Sequence, residues 1–215
     1  MIKNILIIFA LVLFTNQVMA NSAKDNNLVL LEKILNSQTK QLKSEFEMKK
    51  IIDHDHSISS YGEIIFSTNS GICWITKKPV NRLWYISNEG EIYNTYIDDT
   101  DIANPQKKQK SSSIGLKMVM KQFLTIFKNN KNELAAAYNI VITPANEYTD
   151  IYELNLQPKD EQVRQAIQNI VITTEKTLIK NIRITEKKEG STEIKFGSSE
   201  EISDENFDMK AYCHE

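Results

Sequence analysis

The sequence is poor in the residues that break regular structure, with six glycines and four prolines in 215 residues. Long disordered linkers are enriched in both, so this scarcity argues against them. Basic and acidic residues are nearly balanced, at 26 and 28. A nucleic-acid-binding chain would instead show a basic excess or a basic stripe. Residues 21–215 fit one domain by length, and no internal repeat or change of composition divides them.

Cysteine is also scarce, with two residues, Cys73 and Cys213. In an oxidising compartment two cysteines can pair. Cys73 falls in a predicted strand and Cys213 in the C-terminal tail, so a bridge between them would attach the tail to a sheet. Two unpaired cysteines are the alternative.

Catalytic motifs are absent: there is no G-x-S-x-G elbow, no glycine-rich phosphate loop and no H-E-x-x-H. The one polar cluster is Asp53-His54-Asp55-His56. Two imidazoles two residues apart on an extended chain share a face and can bind a metal. The same residues also suit an exposed turn, and a hydrolase using His54 or His56 is a further alternative. We predict no enzyme, no catalytic residue, no metal and no cofactor.

The first twenty residues have the three parts of a secretory signal peptide. Lys3 is the basic part, an apolar run extends from Ile5 to Phe14, and Val18-Met19-Ala20 is a small-residue cleavage site. A membrane helix needs roughly 20 apolar residues, and this run ends at Thr15. We therefore predict cleavage after Ala20, with an uncleaved N-terminal anchor as the alternative. No cysteine follows the site to carry a lipid.

Hydrophobic periodicity predicts an α+β fold, in which helices accompany an antiparallel meander that is either a sandwich or a barrel. Helical spacing of Leu28, Leu31 and Leu35 predicts a first helix over Asp25–Gln38, and five strands with a period of two follow. Asp98–Lys110 is polar and is predicted to be a loop. A helix then extends from the serines at 111–113 to about Lys128, and a short helix and five more strands complete the chain. These strands are predicted over Leu42–Met48, Ile58–Phe66, Gly71–Thr76, Arg82–Ser87, Glu91–Ile97, Tyr138–Thr143, Ile151–Gln157, Asn169–Thr174, Leu178–Thr185 and Ser191–Phe196.

Large apolar side chains recur in the early strands and along the long helix. An ordinary core is one interpretation of them. The other is a cavity between a curved sheet and a helical lid, since methionine and aromatic side chains suit adaptable apolar pockets. The candidate cavity residues are Phe46, Met48, Ile64, Phe66, Ile72, Trp74, Trp84, Ile86, Leu116, Met120, Phe123 and Phe127.

Several motifs in order resemble the LolA family, the periplasmic carriers of outer-membrane lipoproteins. Gly62-Glu63-Ile64 is similar to the family's G-x-L segment, and Trp74 with Pro79 has the family's W-to-P spacing. Phe46-Glu47-Met48 stands at the F-x-Q strand, and the segment from Tyr152 to Lys159 is similar to the L-x-L-x-P-K strand end. The resemblance spans about residues 26–197.

The resemblance implies a half-open antiparallel β-barrel closed by α-helices, with a cavity that binds acyl chains. It further implies a monomer in the periplasm that carries lipoproteins or related lipids from the inner to the outer membrane. Its partners would be a LolCDE-type ABC transporter in the inner membrane and an outer-membrane acceptor, with no nucleic acid. A related regulatory module that senses lipids or lipoproteins is the alternative function.

Two positions depart from the family pattern. The family's R-P pair falls on Thr68-Asn69, so the arginine that tethers the helical lid is missing. Met48 replaces the glutamine of F-x-Q. These departures indicate a LolA-like relative rather than the housekeeping carrier, with a lid that is either permanently open or latched by other residues.

Overall fold

The structure is a computed structural model, and it describes residues 27, 29–35, 41–96, 109–110, 114–128, 130–145, 149–176, 178–188, 190–203 and 207–213. Eleven strands form one antiparallel sheet in the order β6-β5-β4-β3-β2-β1-β11-β10-β9-β8-β7. The strands are β1 Gln41–Ile51, β2 Ser57–Ser67, β3 Gly71–Lys78, β4 Arg82–Ser87, β5 Ile92–Tyr96, β6 Gln109–Lys110, β7 Tyr138–Pro144, β8 Ile151–Pro158, β9 Ile167–Glu175, β10 Leu178–Glu186 and β11 Ser191–Glu201.

Five helical segments accompany the sheet. The first, α1, is helical over 29–35, inside the predicted range, whose remaining residues lie largely outside the described part. The other segments are α2 Ile114–Phe127, α3 Lys131–Ala137, α4 Glu161–Ala166 and α5 Met209–Tyr212. The longest of them, α2, together with α3 connects the two edges of the sheet. Asn130 and Asp160 begin α3 and α4 by accepting hydrogen bonds from backbone N–H groups of the first turn.

The fold is therefore α+β with a curved, open sheet. Ile92 on β5 and Ile142 on β7 lie near opposite edges of the sheet, yet both belong to the same buried core. Such a shared core requires the sheet to curl, so that one face is concave. Gly62 allows β2 and β3 to approach closely, because a Cβ there would lie 1.8 Å from the carbonyl oxygen of Ile75.

Three sequence predictions need correction. Gln109–Lys110 forms β6 where a loop was expected, because pairing with β5 satisfies backbone groups at the sheet edge; residues 97–108 lie outside the described part. β11 continues to Glu201, beyond its predicted end at Phe196, because its polar end pairs with β1. The tail contains α5, a helix too short for periodicity to reveal.

The two faces of the sheet bury different sets of side chains. Successive residues of a strand point to opposite faces, so Ile64 and Trp74 enter the concave core while Ile65 and Cys73 point outward. The outward residues are covered by the C-terminal segment, through Met209 among others. The outer cluster comprises Ile65, Cys73, Leu83, Tyr85, Met209 and Cys213, with Ile75, Tyr93, Ile202 and Phe207 packed against it.

A disulfide between Cys73 and Cys213 fixes this segment to β3, with 6.2 Å between the two Cα atoms. It closes a loop with a sequence separation of 140 residues. Cross-linking a chain stabilises the fold chiefly by reducing the conformational entropy of the unfolded state, and the effect grows with loop length.

We expect the double variant Cys73→Ser/Cys213→Ser to be less stable than the oxidised protein by up to about 5 kcal/mol, the chain-entropy value for the 140-residue separation. Urea unfolding followed by circular dichroism measures the difference. Reductant should lower the stability of the native chain and leave the double variant unchanged. Equal unfolding free energies for the oxidised protein and the variant would contradict a stabilising bridge.

An ionic cluster lies on the same outer face. The Nζ atom of Lys77 donates a hydrogen bond to Glu63 at 2.7 Å, and that of Lys43 lies 3.5 Å from the same carboxylate. The hydrogen bond from Lys77 holds the pKa of Glu63 below its ordinary value, and the charge of Lys43 acts in the same direction. Ionised Glu63 therefore stabilises the folded chain.

We expect this stabilisation to depend on pH. Because the folded pKa of Glu63 is lowered, its contribution is present above the unfolded pKa, about 4.3, and is lost as pH falls through the folded pKa. The unfolding free energies of the native chain and Glu63→Gln should differ at neutral pH and converge in acid. Urea titrations over that range measure the difference, and a constant gap would contradict the prediction.

Candidate ligand-binding site

The candidate site is the concave face of the sheet together with the part of α2 that lies over it. Antiparallel register places inward residues of neighbouring strands side by side: Ile64 faces Trp74 across β2 and β3, and Trp74 faces Trp84 across β3 and β4. The ring centroids of Phe46 and Trp74 are 4.3 Å apart. These contacts form a continuous apolar surface over four strands.

Phenylalanines of α2 pack onto this surface. Phe123 lies 5.7 Å from Trp74 and Phe127 lies 5.5 Å from Phe66, measured between ring centroids. Phe127 also makes an edge-to-face contact with Phe196 of β11 at 6.1 Å. The helix therefore spans the seam between the strands that precede it and those that follow it.

The structure brings together ten of the twelve residues predicted from sequence. Eight are buried: Phe46, Ile64, Phe66, Ile72, Trp74, Ile86, Phe123 and Phe127. Met48 and Trp84 are half-buried against the same core. Leu116 and Met120 belong to α2, and their side chains lie outside the described part.

Sequence reasoning missed the second half of this face. Strands β7 to β11 contribute an aliphatic surface, in which Ile172 faces Ile182 and Ile182 faces Ile194 across neighbouring strands. The signal was the same period-two alternation in the later strands, which identified the strands but was not extended to the site. The missed residues are Ile142, Leu154, Leu156, Ile170, Ile172, Ile182, Ile184, Ile194 and Phe196.

A cleft opens beside this interior between α1, α3 and β7. It has a volume of about 310 Å³, and Leu31 and Tyr138, two buried core residues, lie in its wall. The Asn27 side-chain oxygen accepts a hydrogen bond from the backbone N–H of Ile142 at 3.2 Å. The other lining residues are Asn27, Ala135, Asn139, Ile140 and Lys159.

One buried polar contact joins α2 to β7. The hydroxyl of Tyr138 donates a hydrogen bond to the side-chain oxygen of Gln122, and both residues are buried. Burial raises the pKa of the Tyr138 hydroxyl, so it remains a neutral donor.

Thr68, which stands where the LolA family has its lid arginine, lies in the β2–β3 turn. Its carbonyl accepts a hydrogen bond from the side chain of Asn88.

The His-Asp cluster forms the tip of the β1–β2 hairpin, away from the interior. Nδ1 of His56 lies 2.8 Å from a carboxylate oxygen of Asp53, which also accepts backbone N–H bonds that close the turn. The hydrogen bond with His56 lowers the pKa of Asp53. Among the described residues, no group of three or more His, Cys, Asp or Glu side chains is placed to hold a metal.

Comparisons with known proteins give a likeness of fold. No family model matches the sequence, and no curated protein matches it. A DUF1329 family protein from Desulfovibrio piger has 11% identity and a TM-score of 0.49, with 86% of this chain and 96% of that chain covered. A putative outer membrane lipoprotein-sorting protein domain from Vibrio parahaemolyticus has 10% identity and a TM-score of 0.48, with 87% and 97% covered.

A LolA superfamily protein from Nitrosomonas europaea has 9% identity and a TM-score of 0.42, with 86% of this chain and 98% of that chain covered. The family that the sequence resembles is thus among its structural neighbours. No helix in the described part of the chain is long and apolar enough to cross a membrane.

We expect Tyr138→Phe to destabilise the chain by about 1–3 kcal/mol, because the buried Gln122 oxygen loses this donor. Replacing both partners, with Gln122→Leu added, should cost less than the sum of the single changes. Urea unfolding of the four proteins completes the cycle. Tyr152→Phe, a change to a half-buried ring on β8, is the matched control. Strict additivity would show that the contact does not help to hold α2.

Proposed function

We propose that this protein binds acyl chains of lipids or lipoproteins between the concave face of the sheet and α2. The observation that carries the proposal is the attachment of α2 to the concave face through side-chain contacts. It lies over a continuous apolar surface and is joined to it by ring contacts and the Tyr138–Gln122 hydrogen bond. Moving the helix would expose this surface without breaking a strand pairing.

The energetics suit a carrier. Each methylene moved from water into an apolar site gains about 0.8 kcal/mol, so a chain of about fifteen methylenes gains roughly 12 kcal/mol. A protein that removes such a chain from a bilayer must offset most of this loss with its own apolar surface. In the closed arrangement, Phe123 and Phe127 cover that surface. A bound acyl chain would replace these two rings on the surface. Because the contacts of the rings are lost when the chain binds, the net affinity would be moderate and the chain could be released.

A more specific proposal is that the protein transports its ligand between the two membranes. We infer that the processed chain, residues 21–215, works in the periplasm as a single LolA-like domain and a monomer. It would carry acylated cargo from an inner-membrane LolCDE-type transporter to an outer-membrane acceptor. The signal-peptide pattern of residues 1–20 and the motif resemblance support this route. The chain needs no nucleophile or metal for the task.

Ligand binding is tested directly on protein purified from cells. Mass spectrometry of extracted lipids should detect acylated molecules, and a fluorescent long-chain fatty acid should bind. Recovery of no acylated molecule, together with no binding of the probe, would refute the proposal.

We expect Trp74→Glu and Phe123→Glu each to lower probe affinity about tenfold or more, because a carboxylate within the apolar interior is costly to desolvate. Val141→Glu is the control, since Val141 is 55% exposed on β7. Circular dichroism reports folding, and Phe123→Gln gives a second comparison if a charged variant fails to fold. Unchanged affinity in both charged variants would place the ligand elsewhere.

The shuttle and the regulatory module predict different partners. Affinity capture with the native chain should return an inner-membrane transporter if the shuttle proposal is correct. Capture of a membrane signalling protein without transport machinery would favour the lipid-sensing module and would contradict the shuttle.

A further inference from the structure

Exposed apolar side chains are concentrated at one end of the sheet. This hairpin end consists of residues 49–58, 77–82, 186–188 and 190, which lie at the β1–β2, β3–β4 and β10–β11 connections. The segments lie together: Lys50 is 3.4 Å from Glu186, and Gly190 lies beside the backbone of Ile51. Of the eight large apolar side chains that the described part leaves exposed, four lie within this end and Tyr61 borders it. The four are Ile51, Ile52, Ile58 and Val80.

These side chains are as exposed as polar surface residues. Val80 is 51% exposed, Ile58 48% and Ile52 43%. They occupy both faces of the hairpin end, because the adjacent residues Ile51 and Ile52 point to opposite faces of an extended chain. The first four residues of β2, 57–60, extend beyond the pairing of β2 with β3, which begins at Tyr61. The apolar groups thus surround a projecting edge rather than form a flat patch.

Basic residues accompany them. In the sequence, the ranges 49–58, 77–82 and 186–190 hold seven basic and four acidic residues, a net charge of +3, whereas the whole chain has −2. Lys49, Lys78 and Lys187 are exposed, and Lys50 pairs with Glu186. Lysine stems are apolar and can extend past a buried isoleucine to place the ammonium group in a polar layer. The charge at this end is therefore opposite to that of the rest of the molecule.

This combination fits an anionic lipid bilayer surface better than a protein partner. A bilayer can surround a projecting edge on both faces, and its anionic headgroups complement the net positive charge of this end. Apolar side chains enter the boundary between headgroups and acyl chains, and nearby lysines are attracted by anionic headgroups. Tyr61, 47% exposed beside this end, has the amphipathic ring common at such boundaries.

The direction of α2 connects this end to the interior. Phe127 packs on Phe66, and Phe123 packs on Trp74, which faces Ile64. Ile64 is two residues closer than Phe66 to the β1–β2 hairpin. The N-terminal end of α2 therefore points toward the hairpin end. A bilayer at the hairpin end would meet the same end of the apolar interior.

We propose that the hairpin end docks on the surface of an anionic lipid bilayer, with Ile52, Ile58 and Val80 among the headgroups and the lysines on lipid phosphates. This docking would assist the proposed function but does not depend on it. Binding to a bilayer can be measured without any transfer of acyl cargo. Loss of docking and loss of ligand binding are separate results.

The test is co-sedimentation of the secreted protein with two kinds of vesicle, phosphatidylglycerol with phosphatidylethanolamine, and phosphatidylcholine alone. Intact mass first establishes that residues 1–20 are absent, because an apolar leader would itself bind lipid. We expect binding to the anionic vesicles that weakens as salt rises, and at least about tenfold weaker binding to phosphatidylcholine.

The double variant Ile52→Asp/Ile58→Asp should lose about tenfold or more of the vesicle affinity, and Lys49→Gln/Lys78→Gln should weaken binding and reduce its salt dependence. Val141→Asp and Lys195→Gln, exposed positions elsewhere on the sheet, should bind like the native chain. All six positions are on the surface, and circular dichroism verifies folding. Fatty-acid binding should persist in the hairpin variants.

Three results would overturn the proposal. They are no binding to either vesicle, equal binding to both, or full binding by Ile52→Asp/Ile58→Asp. If the hairpin variants bind vesicles normally but lose capture of a protein, the hairpin end is a protein-docking surface instead.

Discussion

The antiparallel pairing of β1 with β11 joins strands from the two ends of the chain and makes one sheet of eleven strands. Its ladder extends from Leu42 with Glu201 to Ile51 with Ser191, and the Ser44 and Ser199 hydroxyls are 3.2 Å apart within it. Every other pairing joins strands that follow one another in sequence. This pairing therefore fixes which edges remain open, namely β6 and β7.

The position of α2 follows from those edges. The chain leaves the sheet at Lys110 and returns at Tyr138, at opposite edges of one curved sheet. A connection of this kind must cross one face, and the concave face is the one whose apolar side chains α2 can cover. Phe123 and Phe127 do so, and the hydrogen bond from Tyr138 to Gln122 secures the side near β7.

Much of this arrangement was accessible from sequence, because alternation in a half-buried strand is a local signal. Arg82–Ser87 was predicted with the bounds that the structure has. Polar residues that form strands by pairing gave no such signal, as at Gln109–Lys110 and in the last residues of β11. The aliphatic half of the site joins the aromatic half only through the curvature of the sheet, so alternation within single strands did not reveal that the two form one surface.

The contact between Tyr138 and Gln122 could not be predicted for a different reason. The residues are separated by 16 positions and meet only after α2 crosses the sheet. Neither amino acid signals burial, and the pattern of the family directed attention to Thr68. Contacts that depend on the curvature of the whole sheet cannot be predicted from any short segment of the sequence.

The two faces of the sheet are secured unequally, and this difference has consequences for motion. The outer face is covered by a segment that is covalently bound through Cys73 and Cys213. The concave face is covered by α2, held through packing and a hydrogen bond, and by buried side chains of α1 such as Leu31. Separation of these helices from the sheet requires no covalent change. Under the proposed function, the movement that admits a ligand would therefore occur on the concave side, while the disulfide holds the opposite layer in place. Because no strand pairing has to break, such an opening would leave the strand order of the sheet intact.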